Sequence, residues 1–323
     1  MSHWGDLMLT TTFGALLKEI RKTNNMTQAD TCKDICSLRQ YVRIERNISE
    51  PSMYLVQLLS HRLNYDFTTY YKLIYCDQTL QANSIKNEAD IFIQKGKYDE
   101  LEKLIYRIEL YPEFKKGENL QFLYYYKSLC AHNIKDYNMA VQYCINGLHI
   151  EDPSFNKNHL NGKISSCIGL NLYHNLGCYL NKLGKLDSSI DIWNKILIDI
   201  EKKIALNFSY YQSSIEFVKQ LYLSTSYNIG IQKTELEEYR IALNYFDKGI
   251  EFANQHNCSY YLTNIVRQKM RVLYNLGDYE EARKAYDICM GLYLLRNNIE
   301  EFKKCEQITI QDYPRLLDYQ IYQ

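Results

Sequence analysis

A chain of 323 residues is long enough for two domains, or for one domain and a repeat array, and it can bury a large core. With 46% hydrophobic and 24% charged residues it has the make-up of an ordinary globular protein, which excludes wholesale disorder. Its 38 basic residues balance 38 acidic ones, so a globally cationic nucleic-acid binder is excluded and any such contact must come from a local patch.

No apolar run reaches the about 18 residues a membrane span needs, and the opening MSHWGDLMLTTT carries Asp6 without a basic n-region. A cytoplasmic chain with no membrane partner is expected. The 10 cysteines are scattered, with no CxxC and no Cys/His cluster at zinc spacing, so reduced core thiols and no metal are expected. Cys32 and Cys36 lie four apart on one potential helix face, which leaves a redox role open. P-loop, GxSxG, HExxH and GxGxxG motifs are all missing, so neither an enzyme nor a cofactor is expected.

Only 4 prolines and 13 glycines interrupt the chain and no alternating strand pattern stands out, so the fold class is all-α. Residues 1–11 read as an extension. "TFGALLKEIRKTN" then places Phe13, Leu16, Leu17 and Ile20 at helical spacing, a first helix over Thr12 to Asn24. Thr27 is a candidate cap for a second helix over Gln28 to Ile35, and Ser37 for a third over Leu38 to Arg46. Ser49 with Pro51 opens a fourth over Ser52 to Leu63, and Phe67 to Tyr75 forms a fifth. Two short helices about a tight turn, braced on both sides, make a helix-turn-helix.

The third helix, "SLRQYVRIERN", turns Tyr41 and Ile44 inward and leaves Leu38, Arg39, Gln40 and Arg43 outward. Arginine pairs with guanine edges and glutamine with adenine, so this face can read bases. Gln28, at the start of the second helix, can bond a phosphate, and Lys33 and Arg46 can reach the backbone. Residues 1–75 hold nine Lys and Arg against seven Asp and Glu, so the focus at 39 to 46 matters more than the total.

From Leu80 onward a helical phrase keeps restarting: "KGKYDELEKLIYRI", "IKDYNMAVQYCINGL", "LGKLDSSIDIWNKIL", "ELEEYRIALNYFDKGI" and "LGDYEEARKAYDICM". Aligned on the turn, Gly96, Lys135, Gly184, Glu237 and Gly277 share a register, with steps of 39, 49, 53 and 40 residues. Two residues on come Tyr98, Tyr137, Leu186, Tyr239 or Tyr279, and three further Leu101, Ala140, Ser189, Ala242 or Ala282. The pattern resembles the tetratricopeptide helix-turn-helix repeat, most clearly at Leu176, Gly177, Gly184 and Trp193. Such units stack into a right-handed solenoid with a concave groove.

The groove-facing positions in that register include Asn87 in the first unit, Tyr126 in the second, Asn171, His174, Asn175 and Cys178 in the third, and Tyr227 and Asn228 in the fourth. Asn264, Arg267 and Arg271 follow in the fifth. Asparagine supplies a donor and an acceptor together and can clamp a peptide main chain, while Arg267 and Arg271 can receive a carboxylate.

"MTQ", "ICS", "RIE" and the following "PS" resemble the Xre-type helix-turn-helix, and "YYKLIYCD" with the repeats resembles the PlcR and Rgg type of peptide-sensing transcriptional regulators. The resemblance implies a homodimer that binds a pseudo-palindromic double-stranded DNA site and is controlled by a short signalling peptide, as in quorum sensing. It places DNA contacts on Gln28, Leu38, Arg39, Gln40 and Arg43, and peptide contacts on Asn171, Asn175 and Asn228; Ser37 and Arg46 complete the candidate DNA-binding set. Asn47 stands where that family's turn often has glycine, and asparagine tolerates the left-handed conformation. The expected domains are a DNA-binding domain over 12–75, a helical linker over 76–80, about five repeats over 81–299 and a capping helix over 300–323. The alternative is a repeat scaffold that docks or inhibits a protein partner without binding DNA.

Overall fold

The computed structural model describes residues 12–68, 80–155, 166–205 and 212–318, and every regular element among them is helical. The expected extension over 1–11, the fifth helix beyond Thr68, linker residues 76–79 and the last five residues lie outside the described residues. The chain forms two compact units, Met1–Cys130 and Ala131–Gln323.

In the first unit, α1 (Phe13–Thr23), α2 (Gln28–Cys32), α3 (Leu38–Glu45) and α4 (Met53–Leu63) enclose Phe13, Leu16, Leu17, Ile20, Tyr41, Ile44, Val56, Leu59 and Phe67. α2 starts where Thr27 places it, because Thr27 and Asp30 cap each other's backbone. It ends at Cys32 rather than Ile35. Arg62 of α4 donates to the carbonyls of Asp30 and Lys33 at 2.7 and 2.9 Å, and Asp34 turns left-handed at φ +60°, so the orphan carbonyls are met from outside the helix. α4 is capped by Ser52, whose hydroxyl accepts from Leu55 N–H at 3.3 Å, and not by Ser49.

Asn47 adopts φ +56° after α3, as its turn position requires. Its side chain also clamps α1: Oδ1 accepts from Gly14 N–H at 2.8 Å and Nδ2 donates to Thr12 Oγ1 at 2.7 Å. A Cβ on Gly14 would lie 2.4 Å from the Ile44 carbonyl, so backbone packs directly on backbone there.

The first unit continues with α5 (Leu80–Gln94), α6 (Tyr98–Ile108), a 3-10 turn at Pro112–Lys115 and most of α7 (Gly117–Asn133). The second unit holds α8 (Tyr137–Glu151), α9 (Cys167–Lys182), α10 (Leu186–Ala205), α11 (Gln212–Glu235) and α12 (Tyr239–Gln255). It closes with α13 (Leu262–Asn275), α14 (Tyr279–Leu295) and α15 (Ile299–Asp312). Within the second unit each helix from α8 to α15 packs on the next, and α9, α11 and α13 also touch one another in sequence, as the inner layer of a helical solenoid does.

The repeat register is written in the backbone. Gly96, Lys135, Gly184, Glu237 and Gly277 all have φ between +58° and +82°, and Tyr98, Tyr137, Leu186, Tyr239 and Tyr279 each begin the following helix. At the third turn Lys185 N–H donates to Leu180 O and Gly184 N–H to Asn181 O, both at 2.9 Å, and the same pair of bonds recurs at the other four. Leu101, Ala140, Ser189, Ala242 and Ala282 are fully buried, which lets paired helices approach closely. The approach is close at the third and fourth repeats, where a Cβ on Gly177 would lie 2.5 Å from Trp193 Nε1 and one on Gly230 2.2 Å from the Phe246 ring.

Candidate nucleic-acid and peptide interfaces

The outer face of α3 is positioned by a buried ion pair behind it. Arg21 of α1 donates to both carboxylate oxygens of Glu45, at 2.7 and 3.3 Å, and to the Met26 carbonyl at 2.8 Å. The Glu45 carboxylate raises the Arg21 pKa, and burial pushes the Tyr41 phenol up. In front of this brace Leu38, Arg39, Gln40, Arg43 and Arg46 are all exposed, Leu38 at 48%. Among the described residues the side chains of Arg39, Gln40, Arg43 and Arg46 have no hydrogen-bond or ion-pair partner, so four polar groups stand ready on one surface.

Two expected contacts are already engaged. Ser37 Oγ accepts from Gln40 N–H at 3.2 Å and caps α3, and Gln28 Nε2 donates to Glu45 Oε2 at 3.0 Å. Because a carboxylate only accepts, the second Gln28 N–H and its carbonyl oxygen remain for a ligand. The Arg21–Glu45 pair was not singled out from the sequence, although Glu45 belongs to the "RIE" phrase that marks the motif. Cys36 beside Cys32 has its thiol pushed up by burial, which disfavours the thiolate a redox role at this pair requires.

In the second unit α9, α11 and α13 bring a second constellation together. Asn171, His174, Asn175 and Cys178 lie on successive turns of α9 and are all partly accessible. Asn228 of α11 donates through Nδ2 to His174 Nε2 at 3.2 Å and toward Cys178 Sγ at 3.6 Å. With Nε2 accepting, the ring proton sits on Nδ1, which faces Cys178 Sγ at 3.9 Å. Surrounding protein pushes the His174 pKa down to about 4 and the Cys178 thiol up to about 12, so this floor is uncharged at neutral pH.

Tyr227 packs on Tyr261 with ring centroids 5.3 Å apart, and Tyr261 packs on Tyr260 at 4.9 Å. Tyr261, which no sequence motif marks, has a left-handed φ of +55°, uncommon for a bulky residue. Beside it a cavity of about 490 Å³ is lined by Gln220, Tyr260, Tyr261, Asn264, Glu216 and Arg296.

Three expected groove residues sit otherwise. Tyr126 is fully buried in the core of the first unit against Phe122 and Tyr125, with its phenol pushed up by burial, so it is not a groove wall. Arg267 already faces a carboxylate of its own chain, Glu301 Oε2 at 3.8 Å, and Arg271 donates to Tyr313 OH and Gln268 Oε1, both at 2.9 Å. Asn87 is exposed on α5; its neighbour Lys86, missed in the sequence, is 7% exposed with Nζ 4.4 Å from the Phe122 ring centroid.

Among the described residues no three His, Cys, Asp or Glu side chains converge to hold a metal, and no helix is long and apolar enough to cross a membrane. Residues 17–69 match the helix-turn-helix family, the class that the braced α2–α3 pair defines. No curated protein matches the chain by sequence. Among solved structures, PlcR of Bacillus thuringiensis in complex with the peptide PapR7 and DNA is 20% identical, with a TM-score of 0.68 over 92% of this chain and 99% of that one. The pheromone receptor Rgg2 of Streptococcus dysgalactiae is 12% identical, TM-score 0.60, over 93% and 100% of the two chains. ComR of S. thermophilus with DNA and its signalling peptide ComS is 16% identical, TM-score 0.53, over 93% and 99%. The chain therefore carries a helix-turn-helix domain and shares its fold, over nearly its whole length, with PlcR, Rgg2 and ComR.

Proposed function

We propose that the chain is a sequence-specific DNA-binding transcriptional regulator, without enzymatic activity, whose hold on DNA is set by a short signalling peptide lying over α9, α11 and α13. The observation that carries this reading is the pairing, in one chain, of an outward α3 face whose Arg39, Gln40, Arg43 and Arg46 side chains have no partner among the described residues and an uncharged, hydrogen-bonding floor at His174, Cys178 and Asn228. PlcR and ComR, solved with both DNA and peptide, share the fold.

In this reading residues 12–75 are the DNA reader, 81–299 the peptide sensor and 300–323 a cap. The protein works in the cytoplasm as a homodimer on a two-fold symmetric site, with Arg39, Gln40 and Arg43 at base edges and Arg46 and Gln28 at phosphates. Asn171, Asn175, Asn228 and Asn264 hold the peptide main chain. Peptide shifts the equilibrium between arrangements of the two readers only by its differential affinity for them.

Purified protein mixed with fragments of its host genome, at low and moderate salt and with or without an extract of small secreted peptides, tests both halves. A symmetric site that is enriched at moderate salt and depends on the extract supports the proposal. Enrichment indifferent to the extract removes the sensor, and no salt-resistant site removes the regulator.

A further inference from the structure

The connection from α12 to α13 reads "HNCSYY", residues 256–261, and holds two left-handed residues that are not glycine, Asn257 at φ +51° and Tyr261 at φ +55°. Sparsely populated backbone persists where surrounding contacts hold it, and it gathers at ligand clamps. Here the holding contacts come from both sides. Lys219 of α11 donates to the His256 carbonyl at 2.9 Å, and Cys258 Sγ donates to Glu216 of the same helix at 3.7 Å. Arg296, just past the end of α14, donates to the Ser259 carbonyl and, at 3.0 Å, to Thr263 Oγ1. The pinned connection frames the cavity of about 490 Å³ beside Tyr261, which lies within the roughly 300–1,000 Å³ range of ligand sites.

Its lining divides by charge. The charged groups are already engaged: Glu216 lies 3.7 Å from Lys219 Nζ, and Arg296 holds the connection. The uncharged groups are not. Among the described residues the side-chain amides of Gln220, Asn257 and Asn264 and the hydroxyls of Tyr260 and Tyr261 have no hydrogen-bond partner. A ligand carboxylate or ammonium meets a charge of its own sign here and only an engaged one of the opposite sign, so neither recovers what its desolvation costs. An aliphatic side chain displaces water and leaves the amides unpaired. A primary amide has two donors and an acceptor oxygen with two lone pairs, and so matches groups that both donate and accept.

We propose that this cavity is a specificity pocket that takes one uncharged polar residue of the bound peptide, asparagine or glutamine. The inference rests on the peptide-sensing reading above. The pocket continues the candidate peptide site, because Tyr261 at its edge packs on Tyr227, the neighbour of Asn228 on α11. Asn264 meets the main chain of the incoming residue, and Gln220 and Asn257 meet its side-chain amide. A site built to hydrogen-bond a group rejects an analogue that lacks it, since its own polar atoms are then left unpaired. The floor at His174, Cys178 and Asn228 holds peptide main chain of any sequence, and the pocket selects among sequences.

The full-length chain, immobilised, is offered a positional-scanning library of short synthetic peptides, in which each position in turn is fixed as one residue type while the others are mixed. The expected result is retention with a several-fold preference, at one position, for Asn and Gln over Asp, Glu, Lys and Leu. Gln220→Leu and Asn257→Gly each erase that preference and leave those at the other positions as they were. Asn257 is exposed and glycine accepts its left-handed backbone, so the second variant keeps the fold. Retained peptides with no position favouring an amide, a charged residue preferred at the position the variants alter, or an amide preference that both variants leave intact would each overturn the pocket while the sensor reading stands. Retention of no peptide at all removes the sensor reading, and the pocket with it.

Discussion

Asn228 Nδ2 lies 3.2 Å from His174 Nε2, and this hydrogen bond ties α11 to α9 at the floor of the candidate peptide site. Asn228→Leu leaves a half-buried imidazole nitrogen without a donor. A loss of about 1–2 kcal/mol in urea unfolding is expected, together with loss of peptide-induced thermal stabilisation. Asn228→Asp presents an acceptor where a donor stood, and raises the His174 pKa, readable by NMR titration. An unchanged His174 titration would contradict the assigned tautomer.

The same histidine makes stability depend on acid. Its folded pKa of about 4 lies below its ordinary value near 6.5, so the unfolded chain binds the proton more readily between those limits. Stability is therefore complete above about pH 6.5 and falls as pH drops toward 4. His174→Gln removes this part of the slope, measured as the difference in chemical-denaturation midpoints between pH 7 and pH 4.5.

Arg39 and Arg43 are exposed and have no partners among the described residues, so their removal costs binding and not folding. Arg39→Ala and Arg43→Ala each weaken specific DNA binding by about 1–3 kcal/mol, roughly 5- to 150-fold, with an unchanged melting temperature. Arg46→Ala weakens binding on all sequences alike and lowers the salt slope by about one. Fluorescence anisotropy over a salt series separates the two behaviours.

Arg21 and Glu45 behave in the opposite way. Their side chains are 11% and 2% exposed, so Arg21→Ala strands a buried carboxylate and costs about 3–5 kcal/mol of the reader domain. DNA binding is lost with folding, and near-neutral effects on thermal unfolding would refute the bracing role.

Lys135 and Glu237 hold left-handed turns that Gly96, Gly184 and Gly277 hold without a Cβ. Both are exposed. Lys135→Gly and Glu237→Gly relieve about 1 kcal/mol of backbone strain each, offset in part by added freedom of the unfolded chain. A small rise in denaturation midpoint is expected from both, and a fall from Gly184→Ala.

Much of this architecture is local and so was legible. Thr27 and Ser37 cap the helices expected of them, and the five aligned turn residues share one backbone conformation, because caps, turns and helical period depend on neighbours a few residues away. The bounds of α2 were less legible, since they rest on Arg62, some thirty residues on.

The candidate sites divide along the same line. By itself the sequence determined the all-helical chain, the outward face of α3 and the repeat register, since hydrophobic period and left-handed turns are properties of short segments. Only the tertiary structure decided which residues in that register meet solvent. Tyr126 is swallowed by its neighbours, Arg267 turns to Glu301, and His174, Cys178 and Asn228 converge on one floor. The reason is geometric: an inner helix of a solenoid touches several others, and small differences in rotation and side-chain volume settle whether one position is core, ion pair or groove.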